Sequence, residues 1–303
     1  MATETSEDAM EVEAHYSVPT SPAPHIDALL VTARSQLHQY LSSHAVHELV
    51  PAHSRVLIVD ANICTQHAFR ALGENDVRAA AVLHNGSLCG MLTLTSALHV
   101  ACDSQLLSRP LYTFVQQSAV QPFISVSADA AQLHAARLLS QTGSPPLAVM
   151  HGSEALHWLF AERLLALLEP RFRDAPFLRY SIGSLQLGRY TDLVTADMRM
   201  RVEDAARVMI SRGLDSLPVT AGGRVVGVLD GEVVGAAAAA GGIGGEVCAF
   251  MQQGAVCARE EALGSVIGKL RDGWRRVFVA DEQRVVIGVI GLGHLLRFFL
   301  SAA

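Results

Sequence analysis

The sequence predicts a mixed chain of the α/β (α+β) class, built from four copies of one small unit. Two observations predict it. The order helix, strand, turn, strand recurs along the chain, and half of the 303 residues are hydrophobic, enough for a sizeable core. Anchor positions Ala81, Ala148, Pro218 and Phe278 mark the copies at spacings of 67, 70 and 60 residues. One such unit cannot bury both faces of its tiny sheet, so units must pair.

The third copy is the clearest, RVEDAARVMISRGLDSLPVTAGGRVVGVLDGEVV over 201–234. Val202, Ala205, Ala206, Met209 and Ile210 follow the spacing of an amphipathic helix. Gly213 stands where a helix end needs a positive φ. LPV and RVVGVL alternate as strands around the turn AGG. The first copy, over 64–98, gives a helix, the strand RAAAV, the turn HNGS and the strand LCGML. The fourth, over 261–299, gives a helix, RVFVA, the turn DEQ and VVIGVI. The second is the faintest: DAAQLHAARLLSQTGSPPLAVM supplies a helix and one strand, and ALHWLFAERLLALL over 155–168 continues it.

Charge is uneven. Residues 1–27 carry Glu4, Glu7, Asp8, Glu11, Glu13 and Asp27 without a Lys or Arg, and the remainder holds 23 acidic against 23 basic residues. A neutral body argues against a nucleic-acid footprint, as does an aromatic content of 6% against a stacking platform for single strands. The first 26 residues read as a disordered acidic tail. That acidic start has neither the basic nor the apolar region of a secretory signal. The run VVGAAAAAGGIGG over 233–245 is too short to span a bilayer, so no membrane span is expected. Five cysteines without a CxxC pair suit a reducing compartment. A cytoplasmic location with access to the nucleus is expected.

The stretch VLIVDANICTQHAFRALGENDVRAAAVLHNGSLCGMLTLTSAL (56–98) resembles the first CBS motif of the gamma subunit of AMP-activated protein kinase. SIGSLQLGRYTDLV (181–194) resembles the linker before that family's third motif, and RGLDSLPVTAGGRVVGVL and RRVFVADEQRVVIGVIGLGHLL its third and fourth strand pairs. The resemblance implies four CBS motifs forming two Bateman modules in a disk. Their boundaries fall at 27–108, 109–180 (a degenerate copy), 181–245 and 246–303. It implies a non-catalytic regulatory subunit that binds AMP, ADP or ATP in its clefts, without a covalent cofactor. The implied partners are a kinase catalytic (alpha-like) subunit and a scaffold (beta-like) subunit.

Carried over residue by residue, the resemblance makes Arg78 and Arg276 phosphate contacts, and Arg275 stands where the family has a histidine. Thr93 and Thr95 keep the hydroxyls of the first motif. Ser96 replaces its ribose-binding aspartate, and His294 and Val233 stand at the equivalent fourth and third positions. Asp215 and Ser216 complete the candidate nucleotide-binding residues. Pro145 and Pro146 replace a His-Arg pair in the second motif, Glu162 falls where a phosphate-facing lysine is expected, and Gly213 replaces an arginine. A carboxylate that accepts ribose hydroxyls makes charge-assisted bonds, and losing each costs about 1.5–3 kcal/mol. The second-motif cleft is therefore the poorest nucleotide site, and the cleft near Arg78 and Arg276 the best.

Each candidate also has a plainer reading. Arg78 could cap the preceding helix or pair with Asp76. Arg275 and Arg276 could be a solvated pair after a helix end. Thr93 and Thr95 could bond locally at a turn. GLGHLL (291–296) lacks the third glycine of a dinucleotide loop, and LGSVIGKL (263–270), with the only lysine of the chain at Lys269, lacks the P-loop ends. His38, His44, His47 and His53 lack a third ligand at metal spacing. Two further readings stand beside the kinase subunit: a nucleotide-insensitive scaffold with degenerate clefts, and a CBS sensor of another adenosyl ligand outside any kinase complex.

Overall fold

The structure is a computed structural model that describes residues 11–12, 24–117, 123–141, 146–173, 175–272 and 274–301. The predicted acidic tail and Pro145 fall almost wholly outside these residues.

Four three-stranded sheets carry the repeat, and each has the same wiring. A short first strand runs parallel to the middle strand, and the middle strand forms an antiparallel hairpin with the third. In the first repeat these strands are Leu57–Asp60, Ala79–His84 and Ser87–Thr93. In the second they are Ser125–Ser127, Leu147–His151 and Glu154–Leu159. In the third they are Ala196–Asp197, Ser216–Ala221 and Arg224–Asp230. In the fourth they are Val256–Cys257, Arg276–Ala280 and Val286–Gly291.

All four anchor residues lie in the middle strand. Each is followed one residue later by a bulge, at Val82/Leu83, Val149/Met150, Val219/Thr220 and Val279/Ala280. The repeat thus holds to the residue, including the irregularity that twists each hairpin.

A helix bridges the first and middle strands of each repeat: Thr65–Glu74, Gln132–Gln141, Val202–Arg212 and Leu263–Arg271. The third of these buries Val202, Ala205, Ala206 and Met209, as its spacing predicts, and ends on Gly213 at φ 61°. A second helix follows each hairpin: Leu98–Cys102 after a 3-10 turn at Leu94–Ala97, then Ala161–Phe172, Gly231–Ala239 and Leu292–Leu300. In the faint second copy, the stretch 155–168 divides between a strand and a helix at Phe160.

The chain forms two compact units, and their membership alternates along the sequence. One unit holds the first and third repeats, residues 56–123 and 194–254. The other holds the second and fourth, residues 124–193 and 255–303, together with the described residues up to 55, which begin at Pro24. The segment 27–55, which the sequence boundaries group with the first repeat, therefore packs with the second and fourth. Its helix Pro24–Ser43 lies against Gln132–Gln141 and Leu292–Leu300. In the first unit Leu98–Cys102 packs on Val202–Arg212 and Gly231–Ala239. In the second, Ala161–Phe172 packs on Leu263–Arg271. Among the described residues no helix is long and apolar enough to cross a membrane.

Candidate functional site

The candidate residues divide between the two units. Arg78, Thr93, Thr95, Ser96, Asp215 and Ser216 belong to the first, and Arg275 and Arg276 to the second.

In the first unit, the turn after the first hairpin uses its hydroxyls on itself. Thr93 caps the 3-10 turn, its Oγ1 accepting from the Ser96 N–H at 3.2 Å, while the Thr93 N–H donates to Ser96 Oγ at 3.2 Å. Thr93 Oγ1 also lies 3.0 Å from Thr95 Oγ1 and 2.9 Å from Ser96 Oγ. Ser96 thus closes a small reciprocal cap.

This turn meets the start of the third repeat's last helix. Asp230 caps that helix, accepting from the Glu232 N–H at 2.7 Å, and the Gly231 N–H donates to the Asp215 carbonyl at 2.8 Å. A side chain on Gly231 would meet that carbonyl at 2.9 Å and the Thr95 methyl at 3.4 Å. Farther along, a side chain on Gly235 would overlap the Leu94 carbonyl oxygen. The small residues of VVGAAAAAGG allow this close approach.

Arg78 immediately precedes the middle strand of the first repeat. Its Nε donates to Glu232 Oε1 at 3.3 Å, with the two side chains 35% and 20% exposed. Its ion-pair partner is thus Glu232 rather than Asp76. Burial pushes the Asp230 carboxyl up, and neighbouring Asp215 pushes the same way while Arg78 draws it down. Arg78 therefore pairs with Glu232 and acts on Asp230, which is itself next to Asp215, all three carboxylates coming from the third repeat. Sequence reasoning missed Asp230 and Glu232; the Asp-Gly-Glu after the strand was the cap signal that marked them.

In the second unit the balance of charge is reversed. Arg276 opens the middle strand of the fourth repeat opposite Gly291, and Arg275 immediately precedes it. His294 turns back on its helix start, its Nδ1 accepting from the Gly291 N–H at 3.0 Å. Burial, then Arg297, Arg276 and Arg189, push the His294 imidazole down to about 4. His294 is therefore neutral at physiological pH, and the charges that act on it are all guanidinium.

Arg189 belongs to the LQLGRY linker, which the sequence resemblance quoted without assigning the arginine. Its backbone exchanges two hydrogen bonds with Val289, both at 2.9 Å, which fixes it beside the fourth hairpin. One amino group donates to the Asp192 carbonyl at 3.1 Å, while its Nε is buried without a hydrogen-bond partner among the described residues. A buried donor left unpaired costs about 1–3 kcal/mol, which an anionic acceptor would recover. Arg297 completes the group, reaching the Ser140 carbonyl at 3.4 Å.

The degenerate positions read plainly. Val233 and Glu162 both lie in first turns of helices, and Pro146 precedes the second middle strand. Among the described residues no group of three or more His, Cys, Asp or Glu could hold a metal.

Comparisons with known proteins agree with this architecture. Residues 189–231 match the CBS domain family. Over 86% of its length the chain is 21% identical to the 5'-AMP-activated protein kinase subunit gamma of Dictyostelium discoideum, and it spans 52% of that relative. The chain thus covers about half the length of the curated relative it matches. Among solved structures, a Methanocaldococcus jannaschii protein described as an archaeal homologue of the kinase's gamma subunit aligns at TM-score 0.68 and 15% identity, over 84% of this chain and all of that one. A conserved Pyrococcus horikoshii protein aligns at TM-score 0.53 and 13% identity over the same shares. With four hairpins equivalent to the residue, the chain has the fold of tandem CBS domains, matches the CBS family model over 189–231, and resembles the gamma subunit of AMP-activated protein kinase.

Proposed function

We propose that the chain is a non-catalytic regulatory subunit that senses an adenine nucleotide through the guanidinium group around His294. The observation that carries it is this convergence of Arg189, Arg276 and Arg297 beside a neutral histidine, with one buried guanidinium nitrogen unpaired. Phosphate is the anion that such forks of donors suit. The neutral imidazole adds no further charge and offers an uncharged partner to a sugar hydroxyl where the family resemblance implies an aspartate. Similarity to a kinase gamma subunit supports the wider reading: kinase and scaffold chains as partners, in the cytoplasm with access to the nucleus. Nucleotide would then act by binding one docking arrangement more tightly than another.

Calorimetric titration of the full chain with AMP, ADP and ATP tests the sensing step. Binding is expected, and Arg276→Ala should weaken it by about tenfold or more, the loss of one charge-assisted contact. An absence of heat with all three nucleotides overturns it. Co-purification from cells tests the partners separately, since recovery of no kinase chain would leave a sensor working outside such a complex.

A second reading, a nucleotide-insensitive scaffold, is favoured by the first unit. There Arg78 is engaged by Glu232, Thr93 and Ser96 cap their own turn, and the Asp230 and Asp215 carboxylates add negative charge nearby. A phosphate entering it would meet repulsion, so any sensing is assigned to the second unit.

A further inference from the structure

The second unit contains a cavity that the nucleotide reading does not use. It has a volume of about 300 Å³ and opens between the helices Ala161–Phe172, Leu263–Arg271 and Leu292–Leu300. Its walls are apolar: Leu165, Phe172, Ile267 and Phe299. The Phe172 and Phe299 rings, both in the lining, lie stacked and parallel within 3°, centroids 5.9 Å apart. Gly264 and Gly268 form part of the lining, and around the position of a Gly268 side chain there is nothing within 4 Å.

Two guanidiniums line the same cavity, Arg173 and Arg271, both on exposed residues. Arg271 Nε donates to Asp272 Oδ1 at 3.2 Å, in a pair whose side chains are 50% and 63% exposed. Such an exposed pair is held weakly. An apolar pocket with a small number of charged groups is the usual form of a small-molecule site, and this one lies at the lower end of their sizes.

We propose that this cavity binds an aliphatic carboxylate, its chain against Phe172 and Phe299 and its head on Arg173 and Arg271. The volume equals that of roughly ten waters, room for a chain of about eight to ten carbons. Chain length and head charge are therefore both read by the site. Each methylene buried raises affinity about three- to fourfold, until the cavity is full.

The test is calorimetric titration of the full chain with hexanoate, octanoate, decanoate and dodecanoate below their micellar concentrations, and with decanol. Affinity is expected to rise through the series, level off near decanoate, and fall several-fold for the alcohol. Gly268→Leu fills the opening and should abolish binding while thermal unfolding stays at or above that of the parent. Arg173→Gln with Arg271→Gln, both on the exposed side, should remove the preference for carboxylate over alcohol. Undiminished binding in Gly268→Leu, equal affinity for acid and alcohol, or no affinity for any chain length overturns the proposal.

Discussion

Gly235→Ala should destabilise the protein, although the same change in an ordinary helix would stabilise it. Alanine exceeds glycine in helix propensity by about 0.8–1 kcal/mol, and Gly235 lies inside the helix Gly231–Ala239. Here the added carbon overlaps the Leu94 carbonyl oxygen and meets the Leu94 carbonyl carbon at 3.1 Å and the Ala97 side chain at 3.3 Å. Leu94 and Ala97 bound a 3-10 turn that Thr93 and Ser96 cap, so neither can step aside alone. The helix must move outward and uncover Val234 and Ala238, both buried. Overpacking of this kind costs about 1–3 kcal/mol, and the propensity gain offsets only part of it. Urea unfolding should lower the midpoint by a net loss of roughly 1–2 kcal/mol. Gly268→Ala is the matched control, with open space around the new methyl, and should gain up to about 1 kcal/mol. If Gly235→Ala unfolds at or beyond the parent midpoint, the close helix–turn approach is not what the glycine serves.

Three other outcomes follow from the sites. His294 titrates near 4 in the folded chain and near 6.5 when unfolded, so the unfolded state binds the extra proton between those values. Stability should therefore fall as pH drops from about 6.5 to 4, by about 2–3 kcal/mol for this group, and pH-resolved unfolding of His294→Asn should flatten that slope. Burial pushes the Tyr190 phenol up to about 12, with Arg259 opposing, and its hydroxyl donates to the Leu187 carbonyl at 3.0 Å. Absorbance titration should show one tyrosine ionising later than the others; because the unfolded phenol ionises near 10, the associated stability is lost as pH rises from about 10 to 12. In a double-mutant cycle, Arg78→Ala and Glu232→Ala should couple by about 1 kcal/mol, and a coupling near zero would mean the pair is only a close approach.

The hairpins were legible because their signals are local. Alternation, Asn85-Gly86 and Gly222-Gly223 between strands, and the helix stop at Gly213 all act within a few residues. The anchors Ala81, Ala148, Pro218 and Phe278 fell in the same strand of every repeat because each copy folds by the same short-range rules. The second helix of the second repeat was blurred because LHWLFAERLL is apolar across the boundary, and only Phe160 breaks the strand from the helix. Long-range partners were not legible. Arg78 meets Glu232 154 positions away, and nothing near either residue announces the other. Arg189 gained its place from a two-bond bridge to Val289, which no periodicity reports. The glycine- and alanine-rich run 233–245 read as bland, yet its small side chains are what let a helix reach the Thr93–Ser96 turn.

The alternating membership of the two units shapes how the chain must assemble. Residues 56–123 emerge long before their packing partner 194–254, and the intervening 124–193 belong to the other unit. At about 5–20 residues per second, translation of that intervening stretch takes roughly 4–14 s. During that time Leu98, Val100 and Ala101, buried in the finished protein, have no partner helix. Neither half of the polypeptide can fold to completion first, so both units close late and through contacts of large sequence separation, the slow regime of folding. The nascent chain is therefore exposed to misassembly for seconds, and its yield in cells should depend on chaperones that cover apolar helices while they wait.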